Sequence, residues 1–201
     1  MITLKIKDIE KKLNKKIRKN AISLGWDVAE RYTGLTLLKT NENDLIIEIL
    51  DKIETNPKDD IKNRMISFIN SVEKFKQDWG KYKSFRIVII EDSWMGMNVF
   101  TLKSLVRFST LLWEKFYKDC DCIDFMMPNS ARAIIGFNKN RQTENTKLPI
   151  QKFSRGKNKG KDKKIDIKKL VQEYLKETFN VAIEDSDKSD SFTLALAGLL
   201  K

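Results

Sequence analysis

The sequence predicts an α/β protein with a mixed five-stranded sheet and helices on both faces. Three short apolar segments follow one another near the start with few residues between them, which is typical of an antiparallel meander. Apolar runs of strand length then alternate with segments of helical periodicity, and this alternation places helices on both faces of the sheet. At 201 residues the chain is long enough for one well-cored domain and short for two.

The individual elements follow from their apolar patterns. The run FRIVII predicts a strand buried on both faces, and the Pro-Lys-Asp-Asp stretch at 57–60 predicts the start of a helix whose apolar face continues to Phe75. The predicted strands span residues 21–28, 32–39, 44–50, 85–90 and 122–126. The other predicted helices span residues 98–117, 128–135, 166–178 and 186–200.

The formal net charge of +11 is concentrated in two segments. Residues 1–20 carry eight Lys and Arg against two acids, and residues 139–164 carry ten against two. We therefore divide the chain into a basic N-terminal arm or helix, 1–20, and a domain, 21–201, with a basic flexible loop insertion at 137–164. Such clustering favours a protein that binds a polyanion, because phosphate neutralisation supplies affinity. A surface that is lysine-rich only for solubility is the alternative.

The residue types that are missing exclude several kinds of chemistry. The chain has no histidine, which removes Ser-His-Asp and Cys-His catalysis, Cys2His2 zinc sites and nucleases with a histidine base. Cys120 and Cys122 are too close in sequence for an easy mutual disulfide, so we expect reduced thiols. No apolar run reaches membrane-spanning length, and the first residues lack the apolar core of a signal peptide. We expect an intracellular protein without a membrane partner.

Four acids stand out by position. Asp27 comes late in the first predicted strand, and Glu91 follows FRIVII at the carboxyl end of a buried strand, where α/β sheets place their sites. Asp187 and Asp190 are three residues apart at the start of the final predicted helix, so they share a face. Carboxylates gathered from separate elements repel one another unless cations hold them, and hard oxygen ligands suit Mg²⁺ or Mn²⁺. Two such ions can support phosphodiester hydrolysis. For Asp187 and Asp190 alone, a role at the helix N-terminus is the simpler interpretation.

Six motifs in order along the chain resemble those of the RuvC-type Holliday junction resolvases. The first is a glycine–x–aspartate strand followed by Thr-Gly, the second an apolar strand that ends in a glutamate, and the third an asparagine that opens a helix. The others are a proline followed by a basic-Ala segment, a glycine-to-lysine stretch, and a closing Asp-x-x-Asp before Leu-Ala-Leu-Ala. These motifs lie at 24–34, 87–91, 98, 128–136, 160–164 and 187–197.

The resemblance implies an RNase H-like fold, a homodimer and Mg²⁺-dependent paired nicking of four-way DNA junctions. Carried over by motif, Asp27, Glu91, Asp187 and Asp190 would be catalytic residues that hold two Mg²⁺ ions per active site, with Mn²⁺ as a substitute. Lys164 would contact phosphate and Trp94 would stack on bases at the junction centre. The expected DNA-binding residues are Trp94, Arg132, Lys161, Lys163 and Lys164.

The chain also departs from the family pattern. Residues 1–20 are additional, the stretch between Gly136 and Gly160 is longer, and Val106-Arg107 stands where the family has a helix glycine. Two other interpretations stay open. One is an RNase H-like nuclease for forks, flaps or RNA–DNA hybrids, and the other is a non-catalytic junction-binding protein. The presence of all four acids argues against the second, and a plain basic binding protein would leave Asp27 and Glu91 at strand ends unexplained.

Overall fold

The structure, a computed structural model of the chain, describes residues 2–79, 85–93, 98–140 and 166–200. Its centre is one mixed sheet with the strand order β1-β4-β3-β2-β5-β6. The strands are β1 (Ile2–Lys5), β2 (Ile22–Asp27), β3 (Tyr32–Thr40), β4 (Asp44–Glu54), β5 (Phe85–Glu91) and β6 (Cys120–Met126). The first four pair antiparallel, whereas β2–β5 and β5–β6 are parallel. The predicted α/β class with a mixed sheet is confirmed.

The sheet has six strands, so the prediction of five strands is wrong. The additional strand is β1, which lies at one edge of the sheet. Residues 2–5 alternate apolar and polar side chains and pair antiparallel with β4, with Ile2 opposite Ile47 and Lys5 opposite Asp44. The sequence predicts a basic arm or helix here, because Ile6, Ile9, Leu13 and Ile17 have helical spacing. Pairing with an open sheet edge decides the conformation of so short a segment, and that pairing cannot be read from local spacing.

Six helices flank the described sheet. They are α1 (Ile6–Leu13), α2 (Ile61–Trp79), α3 (Val99–Phe116), α4 (Pro128–Ile134), α5 (Ile167–Phe179) and α6 (Ser186–Leu200). Asn98 caps α3 by accepting the backbone N–H of Phe100, and Asp166 caps α5 by accepting that of Lys168. None of these helices is long and apolar enough to cross a bilayer. Of the predicted loop at 137–164, the structure describes only residues 137–140.

The two faces of the sheet build separate cores. On one face, α2 and α3 cover an aromatic cluster in which the Trp26 ring lies 5.6 Å from Phe75 and 5.7 Å from Phe116. On the other face, α1, α4, α5 and α6 share a core that includes Phe192 and Leu196. Helices therefore lie on both faces, as predicted, and α6 is buried along most of its length.

Candidate active site

Asp27 and Glu91 end two neighbouring parallel strands. In the β2–β5 pairing Trp26 lies opposite Ile90, so the next residue on each strand is one of the two acids. Parallel strands end at the same edge of a sheet, and Asp27 and Glu91 both line a cavity of about 530 Å³ at this edge. Asp187 and Asp190, from the first turn and a half of α6, line the same cavity. The four predicted acids thus come together from three elements.

Two glycines allow α6 to lie directly on the strands that carry this edge. A Cβ on Gly25 would stand 2.3 Å from the carbonyl oxygen of Ser191, and one on Gly34 would stand 2.1 Å from the carbonyl oxygen of Asp187. Both distances are far below van der Waals contact, so only glycine permits this approach. The Thr36 and Ser191 hydroxyls share a buried 2.8 Å hydrogen bond that fixes the helix on β3. The first turns of α6 are therefore held where their acids reach the cavity.

Asp185 caps α6, so the two acids that follow it are not the caps of this helix. Its carboxylate accepts the backbone N–H of Asp187 at 2.9 Å and that of Lys188 at 3.2 Å, and it is ion-paired with Lys52 at 2.6 Å. The helix N-terminus is thus satisfied by a residue outside the predicted site. Asp187 and Asp190 are not needed as caps, and their side chains line the cavity instead.

Burial and mutual repulsion perturb the acids at the strand ends. Burial raises the pKa of Asp27 well above its usual value, and its hydrogen bond with Glu91 and the charges of Glu91 and Asp190 raise the pKa further. Burial also raises the pKa of Glu91, a shift that the hydrogen bond from Asp27 reduces and the charge of Asp190 increases. A protonated Asp27 that donates to Glu91 accounts for both directions. Burial and the neighbouring charges therefore favour a proton on this pair when no cation is bound.

Two basic side chains neutralise the acids of α6. Arg132 of α4 donates to Asp190 at 2.8 Å, and Lys168 of α5 lies 3.3 Å from Asp187 and 3.6 Å from Asp190. Burial lowers the pKa of Lys168, but the charges of Asp190, Asp27 and Asp187 outweigh this effect and the pKa is raised overall. Lys168 therefore remains a cation inside the cavity.

Some predicted site residues can be placed and others cannot. Arg132, predicted to contact DNA, lines the cavity beside Asp190. The other predicted DNA-binding residues, Trp94, Lys161, Lys163 and Lys164, lie outside the described residues.

The sequence did not indicate Lys168, which lies four positions after Lys164 in the chain and follows the capping Asp166. That capped helix start was the available signal. The sequence also did not indicate Glu30 and Arg64. The Arg64 guanidinium of α2 donates to the backbone carbonyl of Glu30 and lies 3.4 Å from the Glu30 carboxylate, so it holds the turn after Asp27.

The chemistry of the donor set fits a hard divalent cation. Four carboxylates line one cavity, and burial, with a smaller contribution from the charges of neighbouring acids, raises the pKa values of Asp27 and Glu91. A bound cation would stabilise the ionised carboxylates against both effects. Within residues 2–79, 85–93, 98–140 and 166–200, no three acids form a compact ligand cluster, since Asp187 and Asp190 are paired with Lys168 and Arg132. Binding of an ion would therefore require these ion pairs to rearrange.

Comparisons with known proteins place this geometry on an established fold. No family model and no curated protein sequence matches the chain. Among solved structures, Thermus thermophilus RuvC in complex with a Holliday junction substrate has a TM-score of 0.60 at 10% identity, covering 88% of this chain and 91% of that one. A structure of Thermus thermophilus RuvC has a TM-score of 0.53 at 11% identity, covering 88% and 92%. The yeast mitochondrial Holliday junction resolvase Ydc2 has a TM-score of 0.46 at 11% identity, covering 95% and 84%. The chain therefore has the RuvC fold, and the resemblance drawn from its sequence motifs is confirmed at the level of that fold.

Proposed function

We propose that this protein is a divalent-metal-dependent endonuclease that resolves four-way DNA junctions by paired nicks. The observation that carries the proposal is the assembly of Asp27, Glu91, Asp187 and Asp190 around one cavity at the edge of a RuvC-like sheet. The acids come from motifs that resemble those of the resolvases, and they reach the one cavity from three separate elements.

The four carboxylates would hold Mg²⁺, with Mn²⁺ as a substitute. When bound, the ions supply activation of a water and stabilisation of the leaving oxygen. Asp27 and Glu91 would give up their shared proton on binding, and Asp187 and Asp190 would exchange their ion pairs with Lys168 for the metal. Lys168 remains charged and would then be free to bind the phosphate that is cut. The Arg132 guanidinium donates a hydrogen bond to the Asp190 carboxylate and would orient it.

The outer face of α3 supports the homodimer that paired nicks require. This helix exposes Val99, Phe100, Val106 and Trp113, and Phe100 is 81% exposed. Val99, Val106 and Trp113 follow one another at seven-residue spacing, so they share one side of the helix, and an exposed apolar side favours a protein partner. Two copies joined through this face would present two cavities to one junction, because Thr101 and Leu105 of the same helix line the cavity.

The proposal is tested by cleavage of a synthetic four-way junction in Mg²⁺, beside matched fork, flap, duplex and RNA–DNA hybrid substrates. We expect paired, symmetric nicks on the junction and none in EDTA. Asp27→Asn should bind the junction and not cut it. Asp78→Asn, the same change at an exposed aspartate of α2, should cut normally. Cleavage of another substrate in place of the junction would change the substrate class, and binding without cleavage by the unmodified protein would refute the nuclease.

A second pair of variants tests the dimer. Val106→Glu places a charge on the outer face of α3, and Ile66→Glu makes the same change at a similarly exposed site on α2, the exposed fractions being 49% and 47%. We expect only Val106→Glu to give monomers in sedimentation equilibrium and to unpair the two nicks. Equal behaviour of the two variants would contradict an interface on α3.

A further inference from the structure

The end of α1 and the segment that follows it bind the C-terminal ends of three helices. The Lys12 ammonium donates to the carbonyl of Thr178 in α5 at 2.5 Å, and the Lys15 ammonium donates to that of Ile134 in α4 at 2.6 Å. The backbone N–H of Arg18 donates to the carbonyl of Leu199 in α6 at 3.0 Å. Residues 12–18, which we call the clamp, therefore reach α4, α5 and α6 together.

These contacts are chemically matched to helix C-termini. The last four carbonyls of a helix have no partner within the helix, and the helix dipole places partial negative charge there. An ammonium group at such an end both satisfies a carbonyl and complements the dipole. Two lysine ammonium groups and one main-chain N–H each donate to a carbonyl near the end of a different helix. The donors of the segment therefore match the unpaired acceptors that it contacts.

Apolar packing holds the clamp in place. Ile9, which precedes the clamp, and Ile17, which is part of it, are buried in the core shared by α4, α5 and α6. Leu13 packs beside Gly136, where a Cβ would stand 3.3 Å from its side chain, and the Tyr174 hydroxyl of α5 donates to the carbonyl of Ile135 at 2.6 Å. The ends of α4 and α5 thus meet at the clamp.

The same three helices carry the site residues that do not lie on the sheet. Arg132 is on α4, Lys168 begins α5, and Asp187 and Asp190 begin α6. Their cavity groups are joined to one another by ion pairs. Each helix is therefore tied to its neighbours at the cavity through these groups and away from it through the clamp.

We propose that the clamp is a positioning device, in which Lys12 and Lys15 set the placement of α4 and α5 and thereby of Arg132 and Lys168 in the cavity. The catalytic consequence rests on the proposed nuclease function, whereas the structural consequence does not. This role differs from that of a DNA-binding arm. Lys12 and Lys15 have carbonyl partners, while Lys7 and Lys11 on the same helix are exposed and have no partner among the described residues.

The test compares two double variants of the full chain that lose the same charge. Lys12→Met with Lys15→Met removes the clamp donors, and Lys7→Met with Lys11→Met removes two exposed lysines of the same helix. Junction affinity should fall to a similar extent in both, because each loses two positive charges. The nicking rate at saturating protein should fall about tenfold further in the clamp variant, because a small misplacement of catalytic groups is costly in rate.

Two more measurements separate positioning from a loss of folding. Lys12→Arg with Lys15→Arg keeps charge and donors and should restore the saturated rate. Amide hydrogen exchange should speed up at the last turns of α4 and α5 in the clamp variant and not in the Lys7/Lys11 variant, and this readout holds whether or not the protein cuts DNA. Where the double variant does not fold, Lys15→Met and Lys11→Met give the same comparison singly. Equal saturated rates and equal exchange in the matched variants would overturn the proposal.

Discussion

Replacing Gly34 with alanine moves the start of α6 away from β3. The new Cβ would stand 2.1 Å from the carbonyl oxygen of Asp187 and 2.6 Å from its carbonyl carbon, where ordinary contact begins at 3.4 Å. Both neighbouring atoms belong to the backbone, so no side chain can rotate away. The helix start or the strand must shift by about 1.3 Å to remove the overlap. Asp187 moves with the backbone to which it belongs.

The expected effects on rate and stability differ in size. A displacement of about 1 Å at a catalytic group can cost about a hundredfold in rate, and we expect that loss of junction nicking at saturating Mg²⁺. Overpacking of this kind destabilises a protein by about 1–3 kcal/mol, which leaves it folded at 25 °C. Single-turnover nicking measured beside a thermal melt therefore separates the two effects.

Gly198→Ala is the matched control at the other end of the same helix. Its Cβ would meet the Ser23 hydroxyl at 2.8 Å and side-chain carbons of Ile89 at 2.9 Å and Ile87 at 3.1 Å, far from the acids. We expect a loss of stability with little loss of nicking rate. Wild-type nicking by Gly34→Ala, with an unchanged melting temperature, would refute the argument that this glycine is required for the approach of α6.

Three further predictions concern single groups. Because burial raises the pKa of Asp27, the folded protein binds this proton more tightly than the unfolded chain does. Its contribution to stability is therefore lost as the pH rises above the usual aspartate value of 3.8. Without metal, the melting temperature of the wild type should fall with rising pH relative to that of Asp27→Asn. Parallel curves of melting temperature against pH would contradict the raised pKa of Asp27. Asp185→Ala removes the cap of α6 and should cost about 1 kcal/mol in denaturant unfolding, with faster exchange at the amides of Asp187 and Lys188; unchanged exchange would count against the cap. Burial raises the pKa of Cys120 to about 11, so iodoacetamide at pH 8 should modify the exposed Cys122 first. Mass spectrometry of the peptides measures the labelling of each cysteine. Equal labelling would contradict the burial of Cys120.

Local patterns predicted most of the strands and helices because their signals lie within a few residues. FRIVII became β5 and Asn98 capped α3 as its position indicated. The first strand was missed, since Ile2–Lys5 owes its conformation to β4, which lies some forty residues away. A short segment can form its backbone hydrogen bonds at a sheet edge whatever secondary structure its own residues prefer.

The acids of the site were identified from motifs, whereas the groups around them depend on tertiary contacts. Asp27 and Glu91 end apolar strands, and that position marks them in the sequence. Lys168 and Arg64 are among many basic residues in a chain with 39 Lys and Arg, and only the fold distinguishes them from the rest. The role of Asp185 is equally hard to predict from the sequence, because it depends on where α6 begins.

The packing of α6 on β2 and β3 also governs when the cavity can assemble during folding. The hydrogen bonds that fix it join residues 172 and 155 positions apart, from Ser23 to the carbonyl of Ala195 and between Thr36 and Ser191. Contacts between such distant parts of a chain form late in folding, because closing the long loop between them costs conformational entropy. A partly folded chain therefore has the sheet-borne acids without those of α6. For the proposed nuclease, the set of acids in the cavity is complete only once α6 has docked on the sheet, so we expect cleavage competence to arrive with the completed fold.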